Sequence, residues 1–267
     1  VFSKNIGPLI FFYFENLANQ SAITHFVSTR PGGFSSPPFH SLNLAFHVSD
    51  NAELVAANRE ILATELNIPL SNFVTAQQVH EANIAIVTEA MRGTGSTDFA
   101  TALPATDSLI TNIPNVCLMV LTADCVPLIL FDPNKKVIGV VHAGWKGTVQ
   151  LIAQKTVTVM QKQFGCSPVD IIAGIGPSIG SCCYEVGAEV IREIERNLPN
   201  RIEYILNKKG FFNLREANKN QLVQLGISEK NIEVAGICTR CHSDIFYSAR
   251  KNGINTGRYG TGIMLRK

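Results

Sequence analysis

Residues 116–148, VCLMVLTADCVPLILFDPNKKVIGVVHAGWKGT, constrain the fold more tightly than any other part of the chain. Three apolar runs, 116–121, 127–131 and 137–141, are rich in Val, Ile and Leu, and each has the length of a buried strand rather than of a helix. The last two flank Asp132-Pro133-Asn134-Lys135-Lys136, a turn composition between hydrophobic runs, which predicts an antiparallel hairpin. Counting back from that turn sets His142 beside Cys125 or its immediate neighbour. A thiol and an imidazole therefore meet at one end of a sheet, where both apolar runs stop. The rim of a rigid scaffold is where sites are commonly built.

Around this hairpin the remaining pattern predicts further strands at 8–14 and 22–29, and a helix over 52–66 capped by Asp50 with Glu53 in the capping-box position. Residues 73–87 are rich in β-branched types and read as one strand or two short ones, interrupted by His80. A helix over 149–164 is expected, capped by Thr148 and ended by Gly165. A strand over 169–173 enters the run Gly174-Ile175-Gly176-Pro177-Ser178-Ile179-Gly180. Its glycines fit neither the dinucleotide fingerprint nor a phosphate loop, and predict a turn with positive φ before a helix near 188–198. A helix from Asn213, with Glu216 at the box position, reaches about Leu225; strands at 231–237 and 263–265 follow. The expected class is α/β or α+β, a mixed β-sheet core flanked by about four helices. Absence of a repeat or a long linker points to one domain over 1–267.

Charge narrows the function. A formal net charge of +2 with 16% charged residues provides no basic stripe or acidic tail, so nucleic acid and membrane surfaces are not expected partners and the ligand should be small. No apolar run reaches the roughly 18 residues of a membrane-spanning helix. Residues 8–14 lack a basic leader and a cleavage site, and read as a strand rather than a signal peptide. Seven cysteines, an odd number without an export signal, suggest reduced thiols in the cytoplasm.

Cys238-Thr239-Arg240-Cys241-His242 matches the haem-attachment pattern, but it follows a buried strand in a chain with no export signal. As half of a zinc site it needs a second cysteine pair, which only the vicinal Cys182-Cys183 offers, and vicinal residues suggest poor geometry. The better constellation is Cys125 and His142 plus one nitrogen donor. A His/His/Cys set leaves one tetrahedral position for water, which zinc deprotonates near neutral pH. Spacing alone does not select His80 as the third donor over His25, His40, His47 or His242. Arg30 beside Gly32-Gly33 and Arg258 between Gly257 and Gly260 are candidate anion contacts.

Thr75-Ala76-Gln77-Gln78-Val79-His80, Thr122-Ala123-Asp124-Cys125-Val126-Pro127 and Val141-His142-Ala143-Gly144-Trp145-Lys146-Gly147-Thr148 together resemble the laccase-domain family. The resemblance extends over nearly the whole chain through Ser28-Thr29-Arg30, Asn43-Leu44, Asp107-Ser108-Leu109-Ile110-Thr111, Ile175-Gly176-Pro177-Ser178-Ile179, Tyr184-Glu185-Val186 and Gly257-Arg258. The family includes multicopper-oxidase-like proteins, peptidoglycan editing factors and purine nucleoside phosphorylases related to mammalian FAMIN. The resemblance implies a single laccase-like domain with His80, Cys125 and His142 as metal ligands. It also implies zinc-dependent phosphorolysis of adenosine, inosine and methylthioadenosine, with some adenosine deaminase activity. On that reading the partners are a purine nucleoside and phosphate, and Arg30 and Arg258 would hold the phosphate. Two positions depart from the family pattern: Glu81 and Ser49 stand where glycine is usual. Glu81 would narrow the pocket or carry protons, and Asp124 is a second proton-transfer candidate. Two rival activities use the same donors: a copper-dependent polyphenol oxidase, and a peptidoglycan-precursor editing hydrolase. Six histidines are few for the further copper centres that oxygen reduction needs.

Overall fold

The computed structural model describes residues 1–198, 207 and 209–267. The strands are β1 (Phe2–Ile6), β2 (Leu9–Tyr13), β3 (Ile23–Ser28), β4 (Phe73–Val74), β5 (Ile84–Ile86), β6 (Ser108–Thr111), β7 (Cys117–Thr122), β8 (Val126–Asp132), β9 (Val137–Ala143), β10 (Ile172–Ile175), β11 (Ile232–Val234) and β12 (Tyr259–Leu265). They divide into two six-stranded mixed sheets, ordered β1-β2-β3-β12-β7-β4 and β11-β10-β8-β9-β6-β5. The helices are α1 (Glu15–Ala18), α2 (Ala52–Leu66), α3 (Trp145–Val149), α4 (Ile152–Phe164), α5 (Ala188–Asn197), α6 (Leu214–Gln224) and α7 (Ala249–Asn252). The mixed α/β class is the expected one, built as a pair of sheets. No helix among the described residues is long and apolar enough to cross a membrane.

Period-two alternation explains how the layers stack. Val126, Leu128 and Leu130 of β8, with Val137 and Val141 of β9, bury against Ile152, Val157 and Met160 of α4 and Leu214 and Leu222 of α6. The intervening residues Ile129, Phe131, Ile138 and Val140 face the other way, onto Leu118 and Val120 of β7 and Tyr259 and Ile263 of β12. The second face of the first sheet carries Phe26, Met119 and Leu121, covered by Leu62 and Ala63 of α2. The two sheets thus share an inner core and each is backed by helices. His142 continues the inward row of Ile138 and Val140, and so belongs to the end of the interior between the sheets.

The β8–β9 hairpin forms, with Asp132 opposite Val137, Pro127 opposite His142 and Val126 opposite Ala143. This register places His142 one residue further from Cys125 than the expected pairings. Four residues, 133–136, form the loop: Asp132 Oδ1 accepts from the amides of Asn134 and Lys135 at 2.9 Å each, and Lys136 takes φ +52°. Other expectations are revised by local chemistry. Asn51 rather than Asp50 caps α2, accepting from the amides of Glu53 and Leu54, while Asp50 accepts from Ser35 and Asn43. The 73–87 segment takes the second of its two expected forms, the short strands β4 and β5, and the loop between them carries His80. The helix expected from 149 is broken by Leu151 at φ +64°, so α3 and α4 are separate and Thr148 lies within α3. Gly165 closes α4 in the left-handed conformation, as expected. The glycines at 174 and 180 do not take positive φ; they are small because of close approach. A Cβ on Gly174 would lie 2.5 Å from the Phe14 ring.

Candidate metal centre and its cavity

His142 ends the inward-facing row of β9, Cys125 occupies the turn entering β8, and His80 reaches them from the β4–β5 loop. Their ligand atoms lie within 4.8 Å of one another. The loop is fixed by two devices. Gln78 acts as a surrogate strand residue: its Nε2 donates to the Leu121 carbonyl and its Oε1 accepts the Leu121 amide, both at 2.8 Å. Asp107, at the start of β6, accepts backbone amides from Val79, His80 and Glu81 at 3.3, 3.0 and 3.0 Å. His80 itself takes φ +64°, a conformation that few side chains adopt without such support.

Asp107 also sets the second imidazole. Its Oδ1 accepts from His142 Nδ1 at 2.8 Å, which leaves Nε2 as the ring nitrogen able to ligate. The ring planes of His80 and His142 meet at 81° with centroids 4.7 Å apart. Gly144 leaves little room here, because a Cβ would stand 3.1 Å from His80 Cδ2 and 3.2 Å from Cys125 Sγ.

The electrostatics match a cation site. Burial alone would push the Cys125 thiol up, but the His142 and His80 rings overcome it and hold the thiol at about 6. Burial would lower His142, yet the Cys125 thiolate and Asp107 raise it to about 9. Burial opposes ionisation of Asp107 too, and the His142 hydrogen bond and the amides of Glu81 and His80 still keep it below the usual carboxylate value. Cys125 and His142 are thus poised as thiolate and imidazolium, and a divalent cation can take the place of the imidazolium proton. Two imidazoles and one thiolate, one ring oriented by a carboxylate, are a donor set that fits zinc or another borderline divalent ion.

The three donors line a cavity of about 600 Å³ together with His47, Asp124, Trp145, Tyr184, Arg250 and Arg258. That volume is within the range of small-molecule sites. His47 is held down at about 4 by burial, then by Arg258 and Arg59, so its ring is neutral. Arg258 is held at both ends: its amide donates to Asn43 Oδ1 at 2.9 Å, and the guanidinium Nη1 donates to the carbonyls of Thr256 and Gly257 at 2.7 and 3.0 Å. Arg250 crosses the Tyr184 ring 5.0 Å from its centroid and donates to the Glu185 carbonyl at 2.9 Å.

Of the residues singled out from the sequence, His80, Cys125, His142 and Arg258 come together. Arg30 does not reach the cavity. Its Nε and Nη1 donate to the carbonyls of His40 and Ser243 at 2.6 and 2.7 Å, and the guanidinium packs over Tyr247. His47 lines the cavity outside the three-donor cluster, while His25 is buried and accepts the Phe14 amide at 3.0 Å. Asp124 is engaged by the Thr239 hydroxyl and the Arg250 amide, each at 2.6 Å, and Glu81 by the Gln150 amide group. Asp107, Arg250 and Tyr184 were not singled out for roles at the site. Only Asp107 carries a sequence signal, a carboxylate opening an apolar run.

Residues 24–266 match the family described as multi-copper polyphenol oxidoreductase laccase. The chain belongs to this family. It is 38% identical over 258 residues to a protein from Bacteroides thetaiotaomicron named purine nucleoside phosphorylase, covering 95% of this chain and 96% of that one. It is 36% identical over 242 residues to adenosine deaminase RL5 from an unknown prokaryotic organism, covering 89% and 92% respectively. The crystal structure of YlmD from Geobacillus stearothermophilus superposes with a TM-score of 0.94 at 35% identity, covering 100% of this chain and 99% of that one.

Proposed function

We propose that this chain, acting as a single domain, is a zinc-dependent purine nucleoside phosphorylase for adenosine, inosine and methylthioadenosine that also deaminates adenosine. The observation that carries the reading is the three-donor cluster of His80, Cys125 and His142 opening on a cavity that also presents Arg258 and Arg250. The names of the Bacteroides phosphorylase and of the RL5 deaminase point the same way. His80, Cys125 and His142 hold the ion, which when bound supplies Lewis acidity, able to stabilise developing negative charge and to activate water.

The other work falls to the chain's own groups. Arg258 and Arg250 present fixed cations to phosphate, the anion that replaces the base at the sugar carbon. Tyr184, Trp145 and Ile179 give the cavity apolar surface against which a purine ring can lie. The neutral His47 ring can hydrogen-bond substrate without repelling the arginines or the ion. Asp107 holds His142 in the ligating tautomer and fixes the His80 loop, so it is a positioning residue. Free cysteines throughout the described chain fit a cytoplasmic setting.

The test is metal analysis of the purified protein followed by incubation with inosine. Phosphate-dependent release of hypoxanthine with pentose 1-phosphate is expected. Oxygen uptake with a phenol and no base release would support the copper oxidase reading instead. Hydrolysis of a peptidoglycan precursor without turnover of nucleosides would support the editing hydrolase.

A further inference from the structure

A second cluster of metal-ligating groups lies outside the cavity. The four sulfurs of Cys182, Cys183, Cys238 and Cys241 all approach within 4.8 Å of one another. The sequence predicts poor geometry for this combination, and the fold overcomes it through strand pairing. β10 and β11 run parallel, with Ile175 opposite Val234, so the segments that follow leave the sheet side by side. They stay paired beyond the strands: the Ser178 amide donates to the Ile237 carbonyl at 3.2 Å and the Thr239 amide to the Ser178 carbonyl at 3.1 Å. The chain then turns at Gly180, whose carbonyl accepts the amides of Cys183 and Tyr184 at 2.9 and 3.0 Å. That turn lifts the vicinal pair onto the Cys238–Cys241 pair.

Distances distinguish the ways such a group can be used. A disulfide needs sulfurs about 2.05 Å apart. A tetrahedral ion with zinc–sulfur bonds of about 2.3 Å separates its sulfurs by about 3.8 Å. Cys241 Sγ lies 3.5 Å from Cys183 Sγ and 3.7 Å from Cys182 Sγ, close to the tetrahedral edge. An iron–sulfur cluster, whose four cysteines are shared among two or four irons, would spread them wider.

The surroundings suit a charged centre. Four thiolates around a divalent ion carry a net charge of −2. Arg240 Nη1 is 3.4 Å from Cys183 Sγ, and the Gly180 amide donates to Cys238 Sγ at 3.2 Å. A Cβ on Gly180 would meet Arg215 Nη2 at 2.8 Å and Cys182 Sγ at 3.1 Å, so a second guanidinium approaches the cluster beside Gly180. Arg215 Nη1 is buried and has no hydrogen-bond partner among the described residues.

We propose that Cys182, Cys183, Cys238 and Cys241 form a second, structural metal site that binds one zinc ion through four thiolates. On binding, each thiol gives its proton to solvent and no electrons are exchanged. The ion clamps the segments after β10 and β11 together. These same segments supply Ile179 and Tyr184 to the cavity and hold Asp124 through Thr239. The site therefore stiffens one wall of the cavity without taking part in the reaction.

The full chain, purified under reducing conditions and equilibrated with zinc, is analysed for metal by mass spectrometry. The wild type should retain two ions per chain, Cys125→Ala one, Cys241→Ser one, and the double variant none. Cobalt(II) loaded into Cys125→Ala gives a second readout that does not depend on the Cys241→Ser fold. Intense tetrahedral bands with sulfur-to-cobalt charge transfer are expected. Retention of two ions by Cys241→Ser would overturn the proposal, as would a weak six-coordinate cobalt spectrum. So would a wild-type chain carrying one ion, and, in a portion purified without reductant, an intact mass two hydrogen atoms lighter would report a disulfide in its place.

Discussion

The two cysteine-containing clusters sit at the same end of the second sheet, and the way each is supported differs. Around Cys125 there are three donors, two of them imidazoles, and the group opens on a 600 Å³ cavity. Its ligands are held from behind: Asp107 bonds the His142 ring and three amides of the His80 loop. Around Cys241 there are four thiols and no imidazole; Cys182 and Cys241 are exposed, on turns that lean on one another. Structural zinc sites are closed by four protein ligands, whereas catalytic ones keep a position for water or substrate. On the proposed reading, donor count and backing separate a centre built to act from one built to hold.

The comparison breaks most sharply at Cys125. Cys125→Ala should lower phosphorolysis by about three orders of magnitude while thermal unfolding moves little, since the residue lies in the turn before β8 and does not fill the core. Steady-state rates and a melting curve check both halves; activity retained with a large loss of stability would make this the structural centre.

Arg258→Ala should raise the KM for phosphate about tenfold or more, with less change in that for inosine, as expected for a lost charge-assisted contact. Arg30→Ala serves as the contrast, because its guanidinium is committed to the carbonyls of His40 and Ser243; it should cost stability rather than phosphate affinity.

Asp107→Asn should weaken metal binding at the first centre about 10- to 100-fold, readable by chelator competition, and leave the four-cysteine site unchanged. Gly144→Ala should do the same more mildly, because the new methyl presses on His80 and Cys125, 3.1 and 3.2 Å away, without touching the core.

The smallest effect separates general acid sensitivity from the site. Burial lowers His25 from its ordinary value to about 4, and its Nε2 accepts the Phe14 amide. The unfolded chain therefore takes up this proton first as pH falls from about 6.5 towards 4, and stability is lost over that window by about 3 kcal/mol at most. His25→Gln, which keeps an acceptor, should flatten that part of the stability profile measured by denaturant titration.

How much of this was legible in the sequence follows from the range of the interactions. The hairpin carrying Cys125 and His142 rests on local alternation and a turn, so it could be read, although Asp132 capping moved the register by one residue. Helices α2 and α6 were legible for the same reason. The choice of His80 was not, because its loop is fixed by Asp107 and by Gln78 pairing with Leu121, contacts across 27 and 43 residues. The two cysteine pairs are visible locally, but their convergence depends on β10 pairing with β11 across an even longer connection. Arg30 illustrates the opposite failure: glycines beside an arginine resemble an anion nest, and only the fold reveals the carbonyls that occupy it.

The central claim is that His80, Cys125 and His142 hold a metal ion that serves purine nucleoside chemistry. It is tested most directly by measuring hypoxanthine released from inosine, with and without phosphate, by zinc-loaded wild type and by Cys125→Ala at matched concentration. The account predicts release that requires phosphate and zinc and vanishes in the variant. Equal release by both proteins, or none from zinc-loaded wild type, would contradict it.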